Sequence, residues 1–143
     1  MSPKPTTLVF RVCGWAAIAA IAILSLVPGD LRPHVLPVSQ LEHFAAYLVA
    51  ASALILGYPG VRRAVTIASA LPVYAAVLEI LQSWVPDRSA RLIDVVAGAL
   101  GAWGGIALIL VVRWIVTSQS TTLRPPDTPM DAPDVTANAG SRE

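Results

Sequence analysis

The sequence predicts an all-α membrane protein in which four transmembrane helices form a bundle. Three observations lead to this prediction. The 143-residue chain is 55% hydrophobic and only 13% charged, which is roughly half the charge of an average soluble domain. Its mean hydropathy is +0.66, and a soluble chain of this size could not cover so much apolar surface. Its four apolar segments are each near the ~20 residues that a helix needs to cross the hydrocarbon core.

The four predicted spans are joined by connections rich in turn-forming residues. Helices are required, because open strands leave backbone groups unpaired in lipid. Pro72 inside the third span predicts a bend. We divide the chain into a transmembrane domain, residues 8–116, and a tail, residues 117–143, whose Ser, Thr, Pro and Asp content predicts disorder. The spans are Leu8 to Val27, Leu41 to Tyr58, Ala64 to Val85, and Leu92 to Val116.

The basic residues predict the orientation of the bundle. One set lies before the first span, between the second and third spans, and after the fourth, so all its members fall on one side. The positive-inside rule makes that side cytoplasmic and places both termini there. On the other side the basic residues are accompanied by acidic ones. The inner set is Lys4, Arg11, Arg62, Arg63, Arg113 and Arg124, and the acidic residues outside are Asp30, Glu42, Asp87 and Asp94.

Several polar side chains lie at the outer ends of the predicted spans. His43 begins the second span, and Glu79 and Gln82 end the third. Arg88 and Asp94 flank the turn into the fourth. Because all these span ends meet on the same side of the membrane, we expect the side chains to converge in one layer.

Glu79 is the most informative of these residues. It lies ~10 Å below the turn at Pro86, taking 1.5 Å per residue, so it should sit beneath the headgroups. An ionised carboxylate there costs several kcal/mol unless it is paired. We therefore expect Glu79 either to be protonated or to face inward toward Arg88 or His43. Tyr47, four residues after His43, shares a helix face with it and adds a hydrogen-bonding group.

The fourth span carries a stripe of small residues. Ala97, Gly101 and Gly105 follow one another at intervals of four, and Gly98 lies beside them. A small-xxx-small stripe lets helix backbones approach closely in lipid. We expect this face of the fourth helix to pack against another helix.

Other kinds of site find little support in the chain. His43 with Glu79 and Asp94 gives a single histidine on scattered spacing, so no metal site is predicted. The sequence has no nucleophile elbow, HExxH helix or glycine-rich phosphate loop, which disfavours an enzyme and predicts no cofactor. A net charge of +1 without a Lys/Arg cluster gives no sign of nucleic-acid binding. The single cysteine, Cys13, can form no intrachain disulfide.

Two motifs resemble those of the VanZ-like family of bacterial integral membrane proteins. The stretch LEHFAAYLVAASALI resembles the first motif, HF-x-x-Y at the head of a helix. The stretch EILQSWVPDRSARLIDVVAGALG resembles the second, E-x-x-Q followed by Pro and Arg and then by Asp and a helix of small residues. The likeness covers roughly residues 10–116. Its motif positions are His43, Phe44, Tyr47, Glu79, Gln82, Pro86, Arg88, Asp94 and Gly101. The chain departs from the family at Ser39-Gln40, where Asp-Lys is frequent, and at Gly98, where Asn is frequent.

The resemblance implies a multi-pass protein of the bacterial inner membrane. The founding member of that family is associated with low-level teicoplanin resistance, which links the chain to glycopeptide resistance or envelope homeostasis. We expect the outer polar layer to bind an envelope lipid headgroup or a lipid-linked cell-wall precursor. Arg88 would meet phosphate, which a guanidinium matches bidentately, and His43 and Glu79 would orient the ligand.

The alternatives are a structural cluster without a ligand, and an enzyme in which Glu79 or His43 acts as acid or base on a lipid-linked substrate. The sequence does not specify an oligomeric state.

Overall fold

The computed structural model describes residues 5–28, 39–86 and 89–122, and this part of the chain is helical, with no strand. Each of its helices is long and apolar enough to cross a membrane. The helices are α1 (Pro5–Leu26), α2 (Ser39–Gly57), α3 (Val61–Gln82) and α4 (Leu92–Thr122). For the described residues, the prediction of an all-α chain with four helices long and apolar enough to cross a membrane is therefore confirmed.

The helix ends differ from the predicted span ends, most of all in α4. This helix continues past Val116 to Thr122, so the start of the predicted tail is helical. The hydroxyl groups of Thr117 and Ser118 donate hydrogen bonds to backbone carbonyl oxygens one turn earlier, so these polar side chains have partners on the helix itself. The remainder of the predicted tail, residues 123–143, lies outside the described residues, as do residues 29–38 of the first connection.

The closest helix packing joins α2 to α4. A Cβ atom on Gly101 would collide with the backbone carbonyl oxygen of Phe44, and one on Gly105 with that of Leu48. Both pairs advance along their chains in the same direction, so α2 and α4 run parallel. Lipid tails are as apolar as the side chains they replace, and helices therefore associate through close contact of this kind. The glycines make that contact possible.

The other two helices pack against this pair and against each other. On α1, Gly14 faces Leu54 of α2, whose side chain would lie 2.7 Å from a Cβ at that position. On α3, the hydroxyl group of Tyr74 donates a 2.9 Å hydrogen bond to the carbonyl oxygen of Ile18 and so joins α3 to α1. A core of small and aliphatic side chains fills the centre of the bundle and is made of Ile21, Tyr47, Ala50, Ala51, Leu54, Leu71, Ala75, Leu78, Ala102 and Ile106.

Proline and glycine shape α3 and its start. The helix is continuous through Pro72, because a proline in a membrane helix is tolerated where neighbouring groups satisfy the freed carbonyl. The connection from α2 is only three residues long and ends at Gly60, whose φ is +127°. Residues that carry a side chain rarely adopt that backbone conformation, so the tight turn between α2 and α3 depends on this glycine.

The contact between α2 and α4 can be tested with two alanine substitutions on one helix. Gly101→Ala should lower the free energy of unfolding by ~1–3 kcal/mol, because its new methyl group meets rigid backbone. Gly104→Ala is the matched control, since its Cβ would come no closer than 3.8 Å to Phe44. It should leave stability unchanged or raise it by up to ~1 kcal/mol through helix propensity. Unfolding in mixed micelles measures both, and equal losses would contradict the packing described.

Candidate functional site

Three helices meet around the ring of Tyr47. This side chain of α2 is only 1% exposed. A Cβ on Gly98 of α4 would lie 3.1 Å from two carbon atoms of the Tyr47 ring and 3.3 Å from the Cβ of Ala75 on α3. The absence of a side chain at Gly98 thus makes room for the tyrosine. The contact sets the register between all three helices.

One helical turn beyond this contact, each of the three helices carries a polar residue. His43 lies four residues before Tyr47, and Asp94 four residues before Gly98, on helices that run parallel. Glu79 lies four residues after Ala75 on α3, which runs the opposite way, so all three residues reach the same level of the bundle. Their side chains are only 8%, 5% and 5% exposed for His43, Glu79 and Asp94 respectively. We call these three residues, together with the buried Tyr47 and Gln82, the polar cluster.

The Glu79 carboxylate is held by the main chain of the next helix. Its Oε1 atom accepts a hydrogen bond from the backbone N–H of Arg91, the residue that precedes α4. The first N–H groups of a helix have no partner within the helix, and a carboxylate at that position also suits the helix dipole. Glu79 thereby links the end of α3 to the start of α4.

His43 is oriented by its own helix. Its Nδ1 atom lies 3.0 Å from the carbonyl oxygen of Ser39, and because a carbonyl oxygen can only accept, Nδ1 carries the proton. The hydrogen bond fixes the ring at the first turn of α2. It also determines the role of the other ring nitrogen, because Nε2 is then an acceptor in the neutral imidazole and a donor in the imidazolium.

Asp94 contributes an acceptor that nothing in the described part of the chain satisfies. Its Oδ1 atom is buried without a hydrogen-bond partner there. The residue stands in the first turn of α4, where the helix dipole favours a negative charge. A buried polar atom left without a partner costs ~1–3 kcal/mol, and more when it is charged. Such an atom marks a position where a donor from outside these helices would be stabilising.

The two carboxylates of the polar cluster can accept hydrogen bonds from a ligand. The Oδ1 atom of Asp94 has no partner in the described part of the chain, and Glu79 keeps lone pairs besides the one that the Arg91 N–H occupies. The Tyr47 hydroxyl and the Gln82 amide add side-chain donors to the same cluster. Hydroxyl, amide and ammonium groups are the natural complements of the two carboxylates. Among the described residues, no group of three or more His, Cys, Asp or Glu side chains is arranged to hold a metal ion.

Five of the six residues that the sequence suggested for ligand binding are buried in the structure: His43, Tyr47, Glu79, Gln82 and Asp94. The sixth, Arg88, lies outside the described residues. The small-residue positions Ala97, Gly98, Gly101 and Gly105 all lie on the buried side of α4.

Among the described residues, a partner of Glu79 is the main chain of Arg91, whose side chain is exposed. Of the two side chains that the sequence suggested, His43 is engaged with Ser39, and Arg88 lies outside the described residues. Arg91 was not among the expected partners, because every residue except proline has an N–H group and the residue type does not show which of them is used. The one available signal was that Arg91 stands just before a helix, where unpaired N–H groups are expected.

Comparison of the chain with family models, curated proteins and solved structures gives no significant match. The resemblance to VanZ-like proteins therefore stays a prediction that two short motifs carry. Those motifs coincide with the part of the fold that forms the polar cluster, namely the first turns of α2 and the turn from α3 to α4.

Two substitutions at Glu79 test its link to α4. Glu79→Ala should lower the free energy of unfolding by ~1–3 kcal/mol, because the Arg91 N–H loses its acceptor inside the bundle. Glu79→Gln should stay close to the unsubstituted protein, since the amide oxygen can accept the same hydrogen bond. Ile80→Ala, a truncation at a 60% exposed position on the same helix, is the control. Thermal unfolding in detergent measures all three, and a Glu79→Ala variant as stable as the control would show that the link contributes nothing.

Proposed function

We propose that this chain is a VanZ-like multi-pass protein of the bacterial inner membrane that binds a lipid through the polar cluster. The cluster binds either the headgroup of an envelope lipid or a lipid-linked cell-wall precursor. The observation that carries the proposal is the buried Oδ1 atom of Asp94, which has no partner in the described part of the chain. A ligand that supplies a hydrogen-bond donor would relieve that cost.

The two carboxylates of the cluster define the kind of headgroup that fits. Sugar hydroxyls, amide N–H groups and ammonium groups can each donate to Asp94 and to the remaining lone pairs of Glu79. The cluster stands about one turn inside the ends of three helices, a depth that a headgroup drawn down from the membrane surface can reach. Arg88, which follows α3 in the sequence, is assigned in this proposal to the phosphate of the same lipid.

The proposal also includes the orientation of the bundle. The described carboxylates, Glu42, Glu79 and Asp94, all lie at the end that holds the cluster, whereas four of the five described arginines lie at the other end. The positive-inside rule then places the cluster on the outer side and both termini, with a disordered tail, in the cytoplasm. A site on the outer side is accessible to cell-wall precursors, which fits a role in glycopeptide resistance or envelope homeostasis.

A second function, that of a purely structural cluster, is favoured by one specific observation. Glu79 joins α3 to the main chain of α4 through the Arg91 N–H, and a carboxylate that only holds a turn needs no ligand. The two functions differ in the importance of charge. An amide can replace the carboxylate in the turn, but it is a weaker acceptor for a ligand's ammonium or hydroxyl group.

Retention of lipid by charge-neutral variants separates the two functions. The protein is purified from bacterial membranes in mild detergent, and native mass spectrometry identifies the lipid that stays bound. We expect Glu79→Gln and Asp94→Asn to lower the occupancy about tenfold, the effect of weakening one hydrogen bond to a charged group. Both variants should keep the thermal stability of the unsubstituted protein.

Glu42→Gln is the matched control for this experiment. It removes a carboxylate from the same end of α2, but Glu42 is not part of the polar cluster. Its lipid occupancy should be unchanged. If both cluster variants retain the same lipid as fully as the control does, the structural function is the correct one.

The orientation is tested by cysteine labelling in intact cells. In a Cys13→Ala background, a membrane-impermeant maleimide should label Ser89→Cys and should not label Val61→Cys. Both positions are exposed and lie at opposite ends of α3 and its connections. Val61 is preferable to the adjacent Gly60, whose positive φ would strain any side chain. Labelling at Val61→Cys alone would show that the bundle is inserted in the opposite orientation.

A further inference from the structure

A long groove runs between α1 and α3 on the side of the bundle away from α4. Its volume is about 770 Å³, which lies within the ~300–1,000 Å³ of typical ligand sites. Along α3 it extends from Arg63 to Val77, a length of ~21 Å at 1.5 Å per residue. Leu54 and Leu71, both buried, form its floor. The groove is thus longer than half of the ~30 Å hydrocarbon core, which is the depth that an acyl chain of one leaflet occupies.

The walls of the groove offer hydrocarbon and little else. Their polar groups are engaged within the protein. The hydroxyl of Tyr74 donates a hydrogen bond to the carbonyl oxygen of Ile18, and the hydroxyl of Thr66 donates one to the backbone carbonyl oxygen of Arg62. Trp15 donates its indole N–H to the hydroxyl of Tyr58 at a distance of 3.2 Å. An apolar chain would leave these hydrogen bonds in place, and the charged residue of the lining, Arg63, stands at one end of the groove.

One end of the groove is strongly basic. The guanidinium groups of Arg11 and Arg63 both lie over the ring of Tyr58, at 4.6 and 5.7 Å from its centroid. Arg11 also donates a 2.8 Å hydrogen bond to the carbonyl oxygen of Gly57 and is thereby fixed in place. The exposed guanidinium of Arg63 has no acceptor among the described residues.

No carboxylate of the described chain balances this charge. The described acidic residues, Glu42, Glu79 and Asp94, all lie at the other end of the bundle. Two guanidinium groups share one ring with no carboxylate of the described residues beside them, so an anion from outside would be stabilised there.

We infer that this groove is a binding site for one anionic phospholipid. An acyl chain lies along α3 between Trp15 and Val77, and the phosphate group meets Arg63 and Arg11 at the basic end. Guanidinium groups match phosphate oxygens bidentately, and Trp15 and Tyr58 are the aromatic residues expected at the level of the headgroups. The site is separate from the polar cluster and lies in the opposite leaflet, which is the cytoplasmic one if the proposed orientation holds.

A second copy of the chain fits the groove less well than a lipid does. Two copies inserted in the same direction and related by a two-fold axis along the membrane normal would bring their basic ends together. Arg63 of each copy would then face like charge. A lipid supplies both an apolar chain for the length of the groove and a negative charge for its end.

A titration with two lipids tests the inference. The purified protein, first freed of bound lipid in detergent, is titrated with phosphatidylglycerol or phosphatidylcholine of identical acyl chains, and native mass spectrometry gives the bound fraction. We expect one phosphatidylglycerol per chain, bound at least fivefold more tightly than phosphatidylcholine. Arg63→Gln should weaken phosphatidylglycerol about fivefold, the value for one basic residue at an anionic surface. Arg62→Gln, its exposed neighbour outside the groove, should change the affinity less than twofold.

A second pair of variants tests the apolar part of the site. Ala70→Phe fills the groove from the α3 side and should reduce binding of both lipids, whereas Ala20→Phe, at an exposed position of α1 outside the groove, should not. Melting temperatures recorded without lipid ensure that the variants compared are folded. Equal affinity for the two lipids, equal effects of Arg62→Gln and Arg63→Gln, or a dimer that excludes lipid would each overturn the inference. None of these variants touches the polar cluster, so the result is independent of the function proposed above.

Discussion

The fold depends on the close approach of two backbones, those of α2 and α4, at Gly101 and Gly105. In water a helix pair is held together largely by burial of apolar surface, but in lipid that gain is absent, and close packing and interhelical hydrogen bonds remain. Two glycines one turn apart allow the α4 backbone to touch the carbonyl groups of Phe44 and Leu48. The contact fixes the parallel register of α2 and α4. The level at which His43 stands beside Asp94 follows from that register, so the glycines position polar residues that they do not touch.

Two carboxylates are buried at one end of the bundle, whereas the charged side chains at the other end are largely exposed. At one end the carboxylates of Glu79 and Asp94 are buried, where each needs a hydrogen-bond donor to offset the loss of hydration. At the other end Arg63 is exposed and Arg11 is only half-buried, so their charge remains partly hydrated and is available to an external anion. Buried charge contributes specificity, since few ligands can satisfy it, whereas exposed charge attracts any anion at the surface. The groove gains its selectivity from the apolar length beside the charge.

The sequence predicted those features that depend on local composition or on chain direction. Apolar segments of sufficient length predict helices wherever they occur, and successive spans must alternate in direction, so His43, Glu79 and Asp94 had to reach one end of the bundle. The hydrogen bond from Arg91 to Glu79 could not be predicted, because a main-chain donor leaves no trace in the residue type. The groove could not be predicted either, since its width depends on how far α1 and α3 diverge, which is decided by packing in three dimensions.

The length of α4 has a consequence for whatever follows it. The helix extends over 31 residues, which is ~46 Å at 1.5 Å per residue. A bilayer is ~40–45 Å thick when its headgroup layers are included. A helix that starts at the level of Asp94 and remains unbroken to Thr122 therefore acts as a rigid spacer through the whole membrane. A protein fused after Thr122 would begin in water, beyond the lipid headgroups, and would need no added linker to avoid the membrane surface.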